Sequence, residues 1–384
     1  MESGADVNLS LVEVKKNLYK FLSILRKVGV VMLKTMLEKV LIIGTGMTGA
    51  SVASLLRHDL SKATAISMWD KSKGIGGRMS TSRCNKDGRC TVDLGAQYIS
   101  ATPNFLQSHA NYYTELTEKG VLRELSTNIE GHQDKVAGTK HFVTPDGVSA
   151  IVKYYVNKAD PVLGKGYLVK DVSIANDKVK VTTDEGHSEH FDAVVITMPV
   201  AQILQLQGDI ASLIDDKGVR PALQSVSYSA RFAVGLFYEP GTKLDIPWSA
   251  KYVTDNQCIR YISVDDRKRG KSSSDVGPSI CIHTSAPWGL KNIEMDKDKA
   301  AVEILKHLQT LLPGLPDPVE VKGHKWRYSQ VHKAYPDSPG CVVLSETPAI
   351  ILAGDAFTHS NFDGCVDSAI SVQQTLAKLV KSKV

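Results

Sequence analysis

The stretch VLIIGTGMTGASVASLL, residues 40–56, sets Gly44, Gly46 and Gly49 in the spacing G-x-G-x-x-G, behind an apolar run and ahead of a segment rich in Ala, Ser and Leu. Each glycine then has a physical task. Gly44 permits a tight turn, Gly46 lets a pyrophosphate approach the backbone, Gly49 lets helix and strand pack closely, and the helix N-terminus attracts the anion. A second apolar run, AISMWD, ends in Asp70, 21 residues beyond Gly49, where a carboxylate can accept hydrogen bonds from a ribose 2′-OH. Such an acid disfavours a 2′-phosphate, so the adenosine ribose of a bound dinucleotide is expected to be unphosphorylated. Alone, Asp70 also reads as a solvated strand-end acid, and it is the combination that favours binding. FAD and NAD share this half, so these residues leave both open.

The next segment, KSKGIGGRMSTSR, adds Gly74, Gly76, Gly77 and Arg78. It supplies further backbone N–H groups and a fixed cation that a simple nicotinamide domain does not generally need; in isolation it would read as a surface loop. Taken in order, GGRMST, DLGAQYI, VVITMPV and AGDAFTHSNFDGCVDSAISV make the chain resemble the flavin amine oxidase-like superfamily, from about Met36 to the C-terminus. The resemblance implies FAD, contacted by Thr48, Arg78, Gln97 and Tyr98, by the pair Gly354-Asp355, and by the main chain at Val172 against the adenine. Asp355 fits this on its own terms, because an acid after the apolar run AIILAG and before a helix can cap the helix and bind ribitol. Covalent attachment is not expected: Cys365 follows the Gly-Asp pair, whereas covalent members carry their cysteine well before it. A packed thiol is expected there.

On the substrate side, Tyr252 in WSAKYVTD and Trp326 in KWRYSQV look like the superfamily's aromatics bordering the flavin, suited to stacking on a flat ring. Core packing is the competing reading of each. No general acid or base is assigned, since there is no Gly-x-Ser-x-Gly elbow and no stretch that sets up Ser, His and Asp together. His187 and His190 fall in the polar turn EGHSEH and read as surface residues. The six cysteines lack the paired spacing of a zinc site, and no metal is expected. The segments SYSARFAVGLFYEPGTK and SNFDGC resemble one branch of the superfamily in particular. That resemblance implies oxidation of the 2- and 6-dihydro isomers of NAD(P)H, with O2 reduced to H2O2 and NAD(P)+ released. A catecholamine or other amine oxidase is the second reading, weakened because no motif marks the lysine such enzymes commonly use. A secreted flavin-containing signalling protein is the third, and an NAD-dependent dehydrogenase remains as a fourth.

These residues need a scaffold. A chain of 384 residues with 42% hydrophobic and 23% charged residues has the composition of a soluble globular protein, with two domains as the prior. The net charge is +5, but residues 1–39 hold seven Lys/Arg against four Asp/Glu, so the remainder is nearly neutral and a nucleic-acid partner is not expected. The expected fold class is α/β: a Rossmann-like FAD-binding domain with a parallel sheet and a β-meander, plus a smaller α+β substrate domain, as in p-hydroxybenzoate hydroxylase-like folds. The FAD-binding domain is expected to be discontinuous, over 36–110, 165–205 and 320–384, with 111–164 and 206–319 in the substrate domain. Residues 1–35 read as an extension, in which Leu11, Val14, Leu18, Leu22, Leu25, Val28 and Met32 have the spacing of an amphipathic helix. Its apolar runs fall short of a signal-peptide core or a transmembrane span, so a soluble intracellular protein is expected, with secretion as the superfamily-based alternative. The run RKRGKSSSDVGPS is expected to be a solvated hairpin, and nothing in the sequence selects an oligomeric state.

Overall fold

In the computed structural model, residues 37–60 and 62–381 are described. The amphipathic helix expected over the extension lies outside them. Two sheets organise the chain. The first has six strands in the order Cys341–Glu346, Ala349–Ala353, Ala193–Ile196, Lys39–Ile43, Ala65–Asp70 and Val162–Lys165. All pairings are parallel except at the Cys341–Glu346 edge. Central parallel strands bury both faces, which is why the apolar run Val40–Ile43 does not alternate with polar residues. Val40 and Ile42 pack against the helices Met47–Asp59 and Ser149–Ala159 and the C-terminal helix Phe362–Lys381. Leu41 and Ile43 face the other way, onto the meander Val169–Ala175, Lys178–Thr183 and Ser188–Phe191, whose Val172, Val179, Val181 and Phe191 fill that side.

The second sheet runs Glu320–Lys333, Ser227–Phe237, Ser279–Thr284, Ile259–Val264, Ala250–Tyr252 and Ile129–Glu130, antiparallel except for the last pair. The helix Lys297–Leu311 lies behind it, burying Ala300, Ala301, Ile304 and Leu308 against Phe232, Val234 and Ile282. Among the described residues, no helix is long and apolar enough to cross a membrane.

Packing moves three expected boundaries. Helix Ser149–Ala159 and strand Val162–Lys165 belong with the first sheet, because Ile151, Val152 and Val156 fill the same core as Val40 and Ala53. Strand Glu320–Lys333, expected in the FAD-binding domain, instead pairs along Ser227–Phe237 as an edge of the second sheet. The third is local: residues 103–119, whose sequence alone reads as one helix, form two, Pro103–Ser108 and Ala110–Glu118, divided at His109. The His109 ring bonds Asp363 (2.7 Å) and Asp367 (2.9 Å) of the C-terminal helix.

A fourth expectation holds only in part. Residues 270–275 of the run are exposed between two antiparallel strands, but its start is not solvated: Lys268 and Arg269 are 1% and 4% exposed. Asp265 opens a short helix and holds both cations, Lys268 at 2.6 Å and Arg269 at 3.0 Å. Basic residues can be interior when a buried carboxylate pairs with each of them, and a charge count along the sequence does not reveal that partner.

Candidate functional site

The floor of the site is the first strand-to-helix turn. Gly44 has φ of +112°, and a Cβ on Gly49 would stand 2.1 Å from the Gly44 carbonyl oxygen, so helix and turn can touch only through glycine. At Gly46 a Cβ would meet nothing within 4 Å, and no side chain caps the helix that begins at Met47. The first-turn N–H groups are therefore presented with open space before them, the arrangement that accepts a pyrophosphate. Asp70 ends the neighbouring strand. Its Oδ2 accepts from the Thr45 N–H (2.8 Å) and hydroxyl (2.9 Å), and its Oδ1 from the Ser72 N–H (2.8 Å). The carboxylate thus pins the turn.

The second glycine loop closes over the first. A Cβ on Gly77 would lie 3.3 Å from Gly46 Cα, and Arg78 reaches Asp355 through two parallel bonds of 2.7 and 2.6 Å. Burial disfavours the Arg78 charge, but the Asp355 carboxylate outweighs it and holds the guanidinium firmly protonated. Asp355 is not the helix cap expected of it. It opens a 3-10 turn after Gly354 (φ +130°), the helix starts only at Phe362, and its oxygens are taken by Arg78 and the Ser360 hydroxyl (3.0 Å). Thr48 lies in the first helical turn against the Cys365 thiol, which burial pushes up to about 12. Val172 is in the meander core, but its N–H already donates to the Gln207 carbonyl (3.0 Å), so that donor is not open to an adenine.

The segment Asp93–Tyr98 joins floor to roof. Ala96 N–H donates to the Arg78 carbonyl at 2.9 Å, and a Cβ on Gly95 would stand 2.0 Å from the same oxygen. The Leu94 carbonyl accepts from Trp326 Nε1 (2.7 Å) and from His283 Nε2 (3.0 Å). Gln97 is held by its amide: Nε2 donates to the Asp93 carbonyl (2.5 Å), and Oε1 accepts from Lys268 Nζ (2.8 Å) and Ser263 Oγ (3.2 Å). Asp93 accepts in turn from Thr81 Oγ1 (2.6 Å) and the Val148 N–H (2.9 Å), while its own N–H donates to Asp265 (3.0 Å). Burial, then the nearby Asp265, raises the Asp93 pKa; Lys268 and Arg269 draw the Asp265 pKa below the usual carboxylate range despite its burial. The buried ion cluster thus positions Gln97.

The roof is one face of the second sheet. A row of paired residues crosses it, His324, Ala233, His283, Tyr261 and Tyr252, and two residues along the strands Arg231 pairs with Trp326. Because strand side chains alternate with period two, all seven point to the same side. The Tyr252 hydroxyl bonds that of Tyr98 at 2.6 Å, and the His324 and Trp326 rings lie 4.0 Å apart. Both sequence-expected aromatics therefore belong to this surface. His283 and Arg231 were not anticipated, because cross-strand register, which no motif carries, brings them there. Burial, reinforced by Arg231, lowers the His283 pKa to about 4, so the imidazole is neutral at pH 7 and its Nε2–H is the donor to Leu94. Arg231 donates to the hydroxyls of Ser229 (2.9 Å) and Ser329 (3.2 Å), and among the described residues no carboxylate pairs with it.

An uncapped glycine turn, a second glycine loop and an aromatic sheet face are together the arrangement of a dinucleotide-binding oxidoreductase of mixed α/β fold. Comparison with known proteins refines this. Residues 133–375 match the family described as flavin containing amine oxidoreductase, and residues 42–116 match the NAD(P)-binding Rossmann-like domain. Renalase of Mus musculus is 43% identical over 344 residues, 90% of this chain and 100% of the mouse protein. A solved structure of a proposed protoporphyrinogen oxidase from Exiguobacterium sp. shares the fold, with a TM-score of 0.67 over 89% of this chain and 99% of that one, at 14% identity. The chain belongs to the flavin-containing amine oxidoreductases and, within them, to the renalase family: it is an FAD-dependent oxidoreductase.

Proposed function

We propose that this chain oxidises the 2- and 6-dihydro isomers of NAD(P)H, with FAD held non-covalently. The balance is dihydro-NAD(P) plus O2 and a proton giving NAD(P)+ and H2O2. Bound flavin supplies the hydride acceptor and the route of electrons to O2; the protein's part is to bind, orient and exclude water.

The observation that carries this reading is the roof itself, an aromatic sheet face whose two histidines, His283 and His324, are both held neutral by burial. His283 is a neutral donor whose Nε2–H is engaged, and burial raises the phenols of Tyr98 and Tyr261 far above neutrality. A dihydropyridine ring already carries a transferable hydride and needs no deprotonation, so stacking and orientation suffice. Trp326, tethered to the Leu94 carbonyl, and Tyr252, tethered to Tyr98, are the groups we assign to positioning that ring. Arg231, a half-buried cation with only hydroxyl partners, suits the negative charge of the substrate's phosphates.

The floor residues Gly44, Gly46, Gly49, Asp70, Gly77, Arg78 and Asp355 are the proposed FAD contacts, with Thr48, Gln97, Tyr98 and Gly354 beside them. Non-covalent binding is supported by Cys365, whose raised pKa leaves little thiolate to attack a ring carbon. The test is anaerobic mixing of the flavin-loaded protein with 6-dihydroNAD and, separately, with a catecholamine. Rapid bleaching of the flavin by the dinucleotide alone is expected; bleaching by the amine alone would overturn the reading.

A further inference from the structure

Beyond the flavin site, the loop that follows strand Ile129–Glu130 carries His132 and Asp134 to His141, which lies in strand Lys140–Val143. Each offers one ligand atom, and the three atoms lie within 4.8 Å of one another. Both imidazoles aim Nε2 at one oxygen, Asp134 Oδ1, at 3.1 Å from His132 and 2.9 Å from His141. The two rings are 4.8 Å apart and nearly perpendicular, so they converge on a point without stacking. Their outer nitrogens are held as well: His141 Nδ1 bonds Ser100 Oγ at 2.9 Å, and His132 Nδ1 faces the Tyr98 hydroxyl at 3.4 Å. That is the outer-shell arrangement that fixes the tautomer and orientation of a metal-ligating histidine.

We infer that His132, Asp134 and His141 form a binding site for a divalent late transition metal such as Zn²⁺. Two nitrogens and one carboxylate oxygen suit Zn²⁺ or Cu²⁺ and not Mg²⁺ or Ca²⁺, which take oxygen ligands. Bond lengths of about 2.0–2.2 Å place tetrahedral ligand atoms roughly 3.3 Å apart, so side-chain rotations suffice to bring the three donors into register. With side chains 23%, 40% and 16% exposed in sequence order, the site is open on one side, leaving the fourth position to water. Coordination at Nε2 makes His132 Nδ1–H the donor to Tyr98, which directs the Tyr98 hydroxyl proton towards Tyr252. A bound ion would thereby set the direction of a hydrogen-bond chain that ends on the aromatic roof. Cysteine spacing gives no hint of this triad, whose members lie on a loop and on a strand of a different sheet from the one before that loop.

Isothermal titration of the flavin-loaded full chain with Zn²⁺ tests the site. One ion per chain is expected, with affinity falling by more than about 100-fold in the double variant His132→Gln, His141→Gln, as for removal of ligands and not merely of their supports. Flavin content and melting temperature of that variant without metal should match the parent, which separates loss of ligands from loss of fold. Co²⁺ in place of Zn²⁺ should give ligand-field bands without thiolate charge transfer. Equal Zn²⁺ affinity in parent and double variant, or a thiolate charge-transfer band placing the ion on a cysteine, would overturn the inference. Neither readout depends on the substrate.

Discussion

The floor and the roof of the site meet at Asp93–Tyr98, yet they are assembled by different means. The floor is largely local: a strand, a glycine turn, a helix and a second strand place Gly44, Gly46, Gly49, Asp70 and Arg78 within one stretch of chain, and only Asp355 reaches it from far along the sequence. Its conformational demands can be met only by particular residue types. The roof is non-local. Tyr252, Tyr261, His283, Arg231 and Trp326 come from five strands, and each position could hold many residues without breaking the sheet. A floor built this way should fail as a unit when altered, whereas the roof should change in function while remaining folded.

The largest expected effect tests the floor. Arg78→Ala removes the bidentate partner of Asp355 and leaves an 8% exposed carboxylate with one hydroxyl. Breaking a buried pair by deleting one member costs about 3–5 kcal/mol, and partial exposure of Arg78 places this case near the lower end. Flavin absorbance per protein after dialysis should collapse, and Arg78→Lys should recover only part of it, since an ammonium cannot make two parallel bonds. Full flavin retention in the alanine variant would show that the glycine turn alone holds the cofactor. Gly49→Ala comes next. Its Cβ would meet a backbone oxygen at 2.1 Å, so the helix must shift, and overpacking of this kind costs about 1–3 kcal/mol. A fall in the urea midpoint together with weakened flavin binding is expected; an unchanged midpoint would show that the turn yields.

The same contrast explains what could be read in advance. The G-x-G-x-x-G turn, the strand-end Asp70 and the second glycine loop were legible because each follows from local backbone sterics. Asp355 was recognised, but its partner was not: an acid before a helix reads as a cap, and nothing local shows that an arginine 277 residues away will take both oxygens. Lys268 was misread for a related reason, since the buried Asp265 that accommodates it is visible only once the short helix forms. Tyr252 and Trp326 came from resemblance; His283 and Arg231, equally part of the surface, needed the register.

The roof gives two smaller effects. His283 has its pKa lowered to about 4 by burial and Arg231, against an ordinary 6.5. On acidification the unfolded chain binds the proton first. Stability from the neutral ring is therefore complete above pH 6.5 and lost as pH falls towards 4, a contribution of roughly 1–3 kcal/mol. His109 acts in the opposite sense: Asp363 and Asp367 raise its pKa despite burial, so its contribution is present at low pH and lost as pH rises through the raised value. His283→Gln should flatten the decline of the denaturation midpoint between pH 6.5 and 4. An unaltered slope would assign the acid sensitivity elsewhere, for example to His324, which burial also lowers to about 4.

The smallest effect separates orientation from stacking within the roof. Trp326→Phe keeps an aromatic face but loses the 2.7 Å bond to the Leu94 carbonyl, and Tyr252→Phe keeps its ring but loses the 2.6 Å bond to Tyr98. A neutral hydrogen bond is worth about 0.5–1.5 kcal/mol, so both proteins should fold and carry flavin. If the rings serve to position a hydride donor, the loss appears in kcat/KM for the dihydronicotinamide, by roughly 2- to 10-fold, because a ring free to rotate reaches the productive geometry less often. Trp326→Leu, which removes the stacking surface, should cost more than Trp326→Phe. Equal effects of leucine and phenylalanine would mean that the indole N–H alone matters, and that Trp326 acts by holding the Leu94 carbonyl and not by touching the substrate.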